Sequence, residues 1–149
     1  MPRLSDIGED HLVKDLTANL RLRSNVLVGP GDDCAVLKSN NDNYTLLKTD
    51  TVIEGVHYLP SASPFQVGWK ATARVVSDFA AMGGKPDALV IALAMKPETP
   101  LVYLQQLYQG INACAEAFNF SVVGGETSSS SCNTITVSGT GTCKNYITR

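Results

Sequence analysis

The sequence predicts an α+β or α/β fold, with a mixed sheet and two main helices packed on one face. Two long segments place apolar residues at spacings of three and four, which is the period of a helix with one buried face. Between them, ALVIALAM at 88–95 is an uninterrupted apolar run with the length of a buried strand. Strand-like and helix-like segments therefore mix along the chain, which favours a sheet covered by helices.

Composition restricts the class of protein. The chain has 149 residues, 44% hydrophobic and 17% charged, which is typical of one globular domain with a core of its own. The net charge is −2 with no basic stripe, so nucleic acid is not an expected partner. We expect no transmembrane helix, because no apolar run approaches 18 residues, and no signal peptide, because MPRLSDIGED lacks an apolar core. The four cysteines form no C-x-x-C pair and are interpreted as reduced, mostly buried thiols of a cytoplasmic protein.

The first half of the chain predicts two helices and two strands. A helix is expected near 9–20, because Leu12, Leu16 and Leu20 share one face. Strands are expected near 33–38 and 45–53. The next helix has Ser63 as a possible cap and Pro64 at its first position, and Gly83-Gly84 ends it. Its apolar stripe is Phe65, Trp69, Thr72, Val76 and Phe79.

The second half continues with a helix and two strands after the apolar run 88–95. Thr99-Pro100 opens the helix, whose expected inward face is Leu101, Leu104, Leu107, Ile111 and Phe118. FSVVG is a short strand, and TITVSGTGT at 134–142 is a threonine-rich strand that we expect at an exposed edge of the sheet.

Five acids lie at element ends or in glycine-rich turns: Asp32, Asp33, Asp50, Asp78 and Glu126. Aspartate in such a turn is often structural, because it hydrogen-bonds its own backbone. Asp78 is harder to explain, because a helix C-terminus disfavours negative charge, although Arg74 one turn earlier could pair with it. Asp50 interrupts TLLKTDTVI, and strands are depleted in aspartate. These two placements favour a functional site.

Such a site would be rich in oxygen ligands. Carboxylates with the Thr49 and Thr51 hydroxyls suit Mg²⁺ or Mn²⁺, and two histidines, His11 and His57, are too few for a classical zinc cluster. The glycine turns VGPGDD and VVGGET offer backbone N–H groups to phosphate. The common nucleotide signatures G-x-x-x-x-G-K-[ST] and G-x-G-x-x-G are absent from the sequence. The residues alone indicate a magnesium–phosphate site.

Four segments, in this order, resemble the thiamine-monophosphate kinases, a branch of the aminoimidazole ribonucleotide synthetase and selenophosphate synthetase superfamily. They are GPGDDCAVL, KTDTVIEGVHYLP, VGWKATARVVSDFAAMGGKP and VVGGETS. The resemblance implies ATP- and Mg²⁺-dependent phosphorylation of thiamine monophosphate to thiamine diphosphate. It implies no catalytic side chain, because the acceptor phosphate is already ionised and needs no general base.

The resemblance also implies a role for each matching residue. Metal binding is carried over to Asp33, Thr49, Asp50, Asp78 and Glu126, with Asp32 a weaker candidate. Gly125 and Glu126 match the turn at the nucleotide phosphates, Arg149 matches an arginine that contacts ATP, and His57 matches a substrate-binding histidine.

Departures from the family pattern leave alternatives open. The kinases usually have Asp where this chain has Glu126, and a small residue such as serine where it has Lys48. Members of the family are about twice as long, so residues 1–149 are interpreted as the N-terminal domain of a two-domain kinase, without its C-terminal domain and inactive alone. The resemblance implies a homodimer whose sheets form a barrel across the two-fold axis. The alternatives are a related enzyme with another acceptor, or a non-catalytic nucleotide-binding dimerisation domain.

Overall fold

The computed structural model describes residues 3–39 and 42–148 and confirms a mixed sheet with helices, an α+β fold. A 3₁₀ turn, Leu4–Asp6, precedes the first helix. The helices are α1 (Glu9–Thr17), α2 (Pro64–Ala81) and α3 (Leu101–Phe118). The strands are β1 (Val26–Val28), β2 (Ala35–Lys38), β3 (Tyr44–Ile53), β4 (Lys85–Met95), β5 (Ser121–Ser129) and β6 (Thr134–Cys143).

The six strands form one sheet in the order β1-β2-β3-β6-β4-β5, open rather than closed into a barrel. Only the β4–β5 pair among them is parallel. The threonine-rich strand β6 pairs with β3 on one side and β4 on the other. The prediction that it forms an exposed edge is therefore wrong: its backbone groups are satisfied within the chain, and β1 and β5 are the edges.

Helix α2 lies across β3, β6 and β4, and α3 packs along α2 and reaches β5. Glycines at the α2–α3 crossing let the two backbones touch. A Cβ on Gly68 would lie 2.0 Å from the Leu107 carbonyl oxygen, and one on Gly110 would lie 1.9 Å from the Phe65 carbonyl oxygen. The side chains of Leu107 and Ile111 are fully buried nearby.

The boundaries of α2 follow the sequence prediction, and its stripe follows it in part. Pro64 is the first helical residue, and Gly83 adopts φ +76° just beyond the last turn. Ser63 occupies the cap position, but among the described atoms its side chain makes no capping hydrogen bond. Thr72 and Phe79 are fully buried as expected, as is Val76 to within a few per cent.

The ends of the predicted stripes are exposed. Phe65 is 41% exposed, because the helix backbones are in contact at its level and leave no room for a ring between them. In α3, Leu101 and Phe118 are also exposed, since both lie at the helix ends, away from the crossing. In α1, which ends at Thr17, no residue is buried, so its leucine stripe does not reach the core in the described chain.

The other face of the sheet carries no helix among the described elements. The first half of β6 alternates, so that Ile135 and Val137 point to the core while Thr136 and Ser138 point away from it. Leu47 and Val90 are exposed on this second face, at 45% and 40%. We call this surface the helix-free face.

Candidate functional site

Asp50 and Asp78, the two acids least expected from local structure, both lie between β3 and α2. Arg74 of α2 donates two hydrogen bonds to the Asp50 carboxylate, from Nε at 2.9 Å and from Nη2 at 3.1 Å. This bond raises the pKa of Arg74, although burial acts against it. The predicted alternative, an Arg74–Asp78 pair, does not form, because Arg74 reaches across to the strand.

Asp78 instead pairs with Lys48 of β3. The Lys48 Nζ lies 2.6 Å from Asp78 Oδ2, and each side chain is 23% exposed. Lys48 and Asp50 are two residues apart on β3 and so share a face, while Arg74 and Asp78 are one turn apart on α2. Two acids and two bases therefore form a neutral cluster between strand and helix, which explains how two aspartates tolerate unfavourable positions.

Thr49 does not join this cluster. Its hydroxyl hydrogen-bonds the Ser138 hydroxyl at 2.7 Å, and the Thr51 hydroxyl bonds that of Thr136 at 2.9 Å, both on the helix-free face. Successive residues of a strand point to opposite faces. The Thr49 side chain therefore lies on the opposite face of the sheet from that of Asp50, although the two residues are adjacent in sequence.

Asp32 and Asp33 lie in the predicted glycine turn. Gly31 adopts φ +113°, which L-residues with side chains rarely reach, and the Asp33 N–H donates to Asp32 Oδ1 at 2.8 Å. Both acids line an open cleft of about 380 Å³ that Lys48 and Thr49 also line. The structure thus brings the first glycine turn to the β3 strand, beside the Lys48–Asp78 pair.

Gly125 and Glu126 lie elsewhere, in the extended strand β5 rather than in a turn. Glu126 is exposed and registers with Ala92, whose neighbours Ile91 and Leu93 are buried under the helices. Glu126 therefore faces away from the helices, with β6 and β4 between it and β3. A Cβ on Gly125 would lie 1.8 Å from the Ile91 carbonyl oxygen, so close strand packing itself requires this glycine.

His57 lies just after β3, where its Nδ1 accepts a hydrogen bond from the Ile53 N–H at 3.1 Å. The other nitrogen, Nε2, is not used in that bond. His57 lines an open cleft of about 310 Å³ together with Tyr58, Gln66 and Lys70, and most of the surface of this cleft is apolar. Arg149, the predicted ATP contact, lies outside the described residues.

Sequence reasoning missed a polar network at the same end of the sheet. Asn133, 6% exposed, donates from Nδ2 to Glu54 at 3.0 Å and accepts at Oδ1 from the Lys96 N–H at 2.9 Å and the Thr99 hydroxyl at 3.0 Å. Lys96 also forms an ion pair with Glu54, which raises the pKa of Lys96. These residues are far apart in sequence, and no local pattern links them.

The cysteines are free, and most of them are buried, as predicted. Cys34, Cys114 and Cys143 are buried, while Cys132 is half-buried. Burial, and next the charge of Asp78, raises the pKa of the Cys34 thiol to about 11. Such thiols stay protonated and unreactive near neutral pH.

The carboxylates near β3 fit magnesium in the kind of donor atom they offer. Carboxylate oxygens of Asp33, Asp50 and Asp78 are hard ligands of the type that Mg²⁺ prefers. Within residues 3–39 and 42–148, however, no three His, Cys, Asp or Glu side chains stand close enough to hold a metal ion together. Two of these acids are held by basic side chains, so ligands and metal would have to be brought together on binding. Across the same residues, no helix is long and apolar enough to cross a membrane.

Comparison with known proteins identifies relatives of the whole fold. The thiamine-monophosphate kinase of Synechococcus elongatus is 33% identical over 139 residues, which cover 93% of this chain and 41% of the relative. The enzyme of the same name from Aquifex aeolicus is 38% identical over 128 residues, 86% of this chain and 40% of the relative. The chain thus spans less than half the length of these relatives.

Solved structures with a similar fold include proteins of the same name. A structure of AaThiL complexed with AMPPCP and TMP matches with a TM-score of 0.90 and 34% identity, covering 99% of this chain and 46% of that one. A hydrogenase maturation protein, HypE, in complex with ATP matches at 20% identity with a TM-score of 0.57, which shows a shared fold alone. Residues 31–144 match the family described as AIR synthase related protein, N-terminal domain. The chain therefore belongs to the AIR synthase related protein family.

Proposed function

We propose that this chain is the nucleotide- and metal-binding part of a cytoplasmic kinase that transfers the γ-phosphoryl group of ATP to thiamine monophosphate. The observation that carries the proposal is the TM-score of 0.90, over 99% of the chain, to a structure with AMPPCP, an ATP analogue, and TMP. The relatives named thiamine-monophosphate kinase support it at 33% and 38% identity.

The chemistry needs positioning rather than a reactive side chain. An oxygen of the acceptor phosphate forms the new bond to the γ-phosphorus while the bond to the β–γ bridging oxygen breaks, giving thiamine diphosphate and ADP. A phosphate monoester is largely ionised near neutral pH, so no general base is required. The chain's contribution is to hold two anionic groups in line and to exclude water.

The acids take the role of metal ligands in this proposal. Asp50 and Asp78 of the β3–α2 cluster and Asp33 of the nearby glycine turn would hold Mg²⁺, with Thr49 and Glu126 as the two further predicted ligands. Magnesium, when bound, would supply positive charge that offsets the repulsion between donor and acceptor. Because Thr49 and Glu126 lie on the other face of the sheet, they would serve a separate part of the site.

The binding of substrate and nucleotide is assigned to different sets of residues. His57 and Lys70 are polar residues of the mainly apolar cleft that we assign to thiamine monophosphate. Lys70 is already oriented, since its Nζ donates to the His57 carbonyl oxygen. Gly125, Glu126 and Arg149 are assigned to the ATP phosphates by resemblance.

The metal role of Asp78 is tested by thermal unfolding with and without Mg²⁺. A ligand that binds the folded state raises the unfolding midpoint, so wild type should gain stability from Mg²⁺ and Asp78→Asn should gain less. Asp87→Asn is a matched control, because Asp87 is an exposed acid at the start of β4. Equal Mg²⁺ responses in all three proteins, or no response in any, would show that Asp78 holds no metal in this chain.

The chain by itself is expected to be inactive, because residues 1–149 are proposed to be the N-terminal domain of a two-domain kinase. Formation of thiamine diphosphate from ATP and thiamine monophosphate should be undetectable with this chain and measurable with the Aquifex aeolicus enzyme under the same conditions. Turnover by the chain at a comparable rate would contradict the domain assignment.

We further propose that two copies associate through the helix-free face, the arrangement in which sheets could form a barrel. The support is the exposed Leu47 and Val90 among hydroxyl-bearing side chains of β3 and β6, since such a face gains from being covered. Light scattering should show a dimer for wild type and a monomer for Val90→Lys. Leu101→Lys, on an exposed position of α3, should leave the dimer intact. A monomeric wild type would refute this arrangement.

A second candidate is a nucleotide-binding domain of the same family without kinase activity, or with another acceptor. The observation that favours it is that Asp50 and Asp78 are already neutralised by Arg74 and Lys48. In that case AMPPCP would bind, and Mg²⁺ would neither stabilise the fold nor strengthen the binding of the nucleotide.

A further inference from the structure

Lys48 contacts the carboxylate that a metal at Asp78 would use. Its Nζ lies 2.6 Å from Asp78 Oδ2, a short charge-assisted contact between β3 and α2. Both side chains are 23% exposed, so the pair is largely shielded from water but can still be reached. Salt would screen it less than a pair on the open surface.

The same lysine lies among further charges. It lines the 380 Å³ cleft together with Asp32 and Asp33 of the glycine turn. Lys48 is therefore the basic group beside three acids, Asp32 and Asp33 in the cleft and Asp78 in the ion pair.

An ammonium and a divalent ion exclude each other at such a carboxylate. Mg²⁺ binds carboxylate oxygens at about 2.0–2.1 Å, closer than the lysine nitrogen sits now. Two cations on the same oxygen repel strongly where water is partly excluded. A metal ion that binds Asp78 Oδ2 must therefore displace the Lys48 ammonium from that oxygen.

Arg74 differs from Lys48 in how firmly it is held. Its guanidinium makes two parallel bonds to Asp50, and such a planar fork loses both together when it leaves. Lys48 makes one ion pair through a flexible stem of four methylenes. Of the two acids, Asp78 is the one whose counter-ion leaves more readily.

We propose that Lys48 is a tethered cation that neutralises Asp78 in the metal-free chain and competes with divalent metal for that carboxylate. Lys48 thereby sets the metal affinity of the site. The inference rests on the proposed metal-binding function, which it deepens by naming the residue that controls metal affinity.

The test is a titration with Mn²⁺ alone, in which free Mn²⁺ is measured by electron paramagnetic resonance. Lys48→Met keeps much of the side-chain length and removes the charge, and should bind Mn²⁺ about five- to tenfold more tightly than wild type. Lys38→Met is the matched control, because Lys38 is an exposed lysine at the end of β2, and it should change the affinity less than about twofold. In the double variant with Lys48→Met and Asp78→Asn, the gain should disappear.

A second measurement uses the wild-type chain and does not depend on the fold of a variant. The side-chain NMR signal of Lys48 should shift as Mg²⁺ is added and saturate together with metal binding, because the ammonium leaves its carboxylate. Lys48→Gln, which can still hydrogen-bond Asp78, should also bind Mn²⁺ more tightly than wild type.

The outcomes separate this inference from the proposed function. Equal or weaker Mn²⁺ binding by Lys48→Met, with clear binding by wild type, would overturn the role of Lys48 and leave the metal site standing. Metal binding without any change in the Lys48 signal would do the same. If neither wild type nor Lys48→Met binds Mn²⁺, both the inference and the metal-binding part of the proposed function are wrong.

Discussion

Replacing Gly110 by alanine should destabilise the chain, although alanine is the better helix former. Gly110 lies in α3 at the crossing with α2, and an added Cβ would meet the Phe65 carbonyl oxygen at 1.9 Å, its carbon at 2.8 Å and the Trp69 nitrogen at 3.0 Å. All three are backbone atoms, so no side chain can rotate away. The two helices would have to move apart by more than an ångström, on the order of the missing van der Waals distance.

Two opposing effects set the magnitude. Alanine gains about 1 kcal/mol in intrinsic helix propensity over glycine. Overpacking typically costs about 1–3 kcal/mol, and a clash with fixed backbone belongs at the upper end of that range or beyond. The net expectation for Gly110→Ala is a loss of about 1–2 kcal/mol in the free energy of unfolding, which lowers the melting midpoint by roughly 2–4 °C per kcal/mol.

Urea denaturation followed by circular dichroism measures this loss, with Gly124→Ala as the control. Gly124 lies in β5 with no atom within 4 Å of an added Cβ, so its replacement should be neutral or slightly stabilising. The reciprocal variant Gly68→Ala should behave like Gly110→Ala, since its Cβ would meet the Leu107 carbonyl oxygen at 2.0 Å. If Gly110→Ala is as stable as wild type, the close approach of the helices is wrong.

Further predictions concern thiols, pH and the buried network. Cys132 should react with a thiol reagent well before the three buried cysteines, and mass spectrometry that finds Cys34 modified first would contradict the packing. Burial raises the pKa of the Cys34 thiol in the folded chain from 9.0 to about 11, so between these pH values the thiol ionises in the unfolded chain first. The free energy of unfolding should therefore fall as the pH rises through this range. Cys34→Ala should lose this part of the pH dependence. Asn133→Ala should cost about 1–3 kcal/mol in urea denaturation, because the Lys96 N–H loses its acceptor and Glu54 keeps only its ion pair with Lys96. A loss below roughly 0.5 kcal/mol would refute the network.

Some features follow from local chemistry and were predictable. The start of α2 at Pro64 and its end before Gly83 depend on φ preferences that a residue carries into any fold. The helix and strand segments follow from periodicity, which reports which residues must share a buried face. The leucine stripe of the first predicted helix did not predict burial, because Leu16 and Leu20 remain exposed. Periodicity shows which residues share a face, but burial depends on a neighbouring element.

The short strand β1 was not predicted, because three residues carry too little periodicity to be recognised. The glycines of β5 were interpreted as a phosphate turn, yet the chain is extended there and Gly125 allows close approach to β4. A glycine's freedom is visible in sequence, but whether a turn or a neighbouring backbone needs it depends on what lies beside it.

The sequence by itself determined the chemical character of the candidate site: acids, hydroxyls and glycines suited to magnesium and phosphate, and an aspartate in a strand that needed a partner. Only the tertiary structure decided the pairing, which joins Asp78 to Lys48 and Asp50 to Arg74 rather than Asp78 to Arg74 one turn away. It also placed Thr49 across the sheet from Asp50 and put the threonine-rich strand at the centre instead of the edge. The physical reason is that charge and strand pairing are satisfied by neighbours in space, and the neighbours of β3 come from α2 and β6, far along the chain.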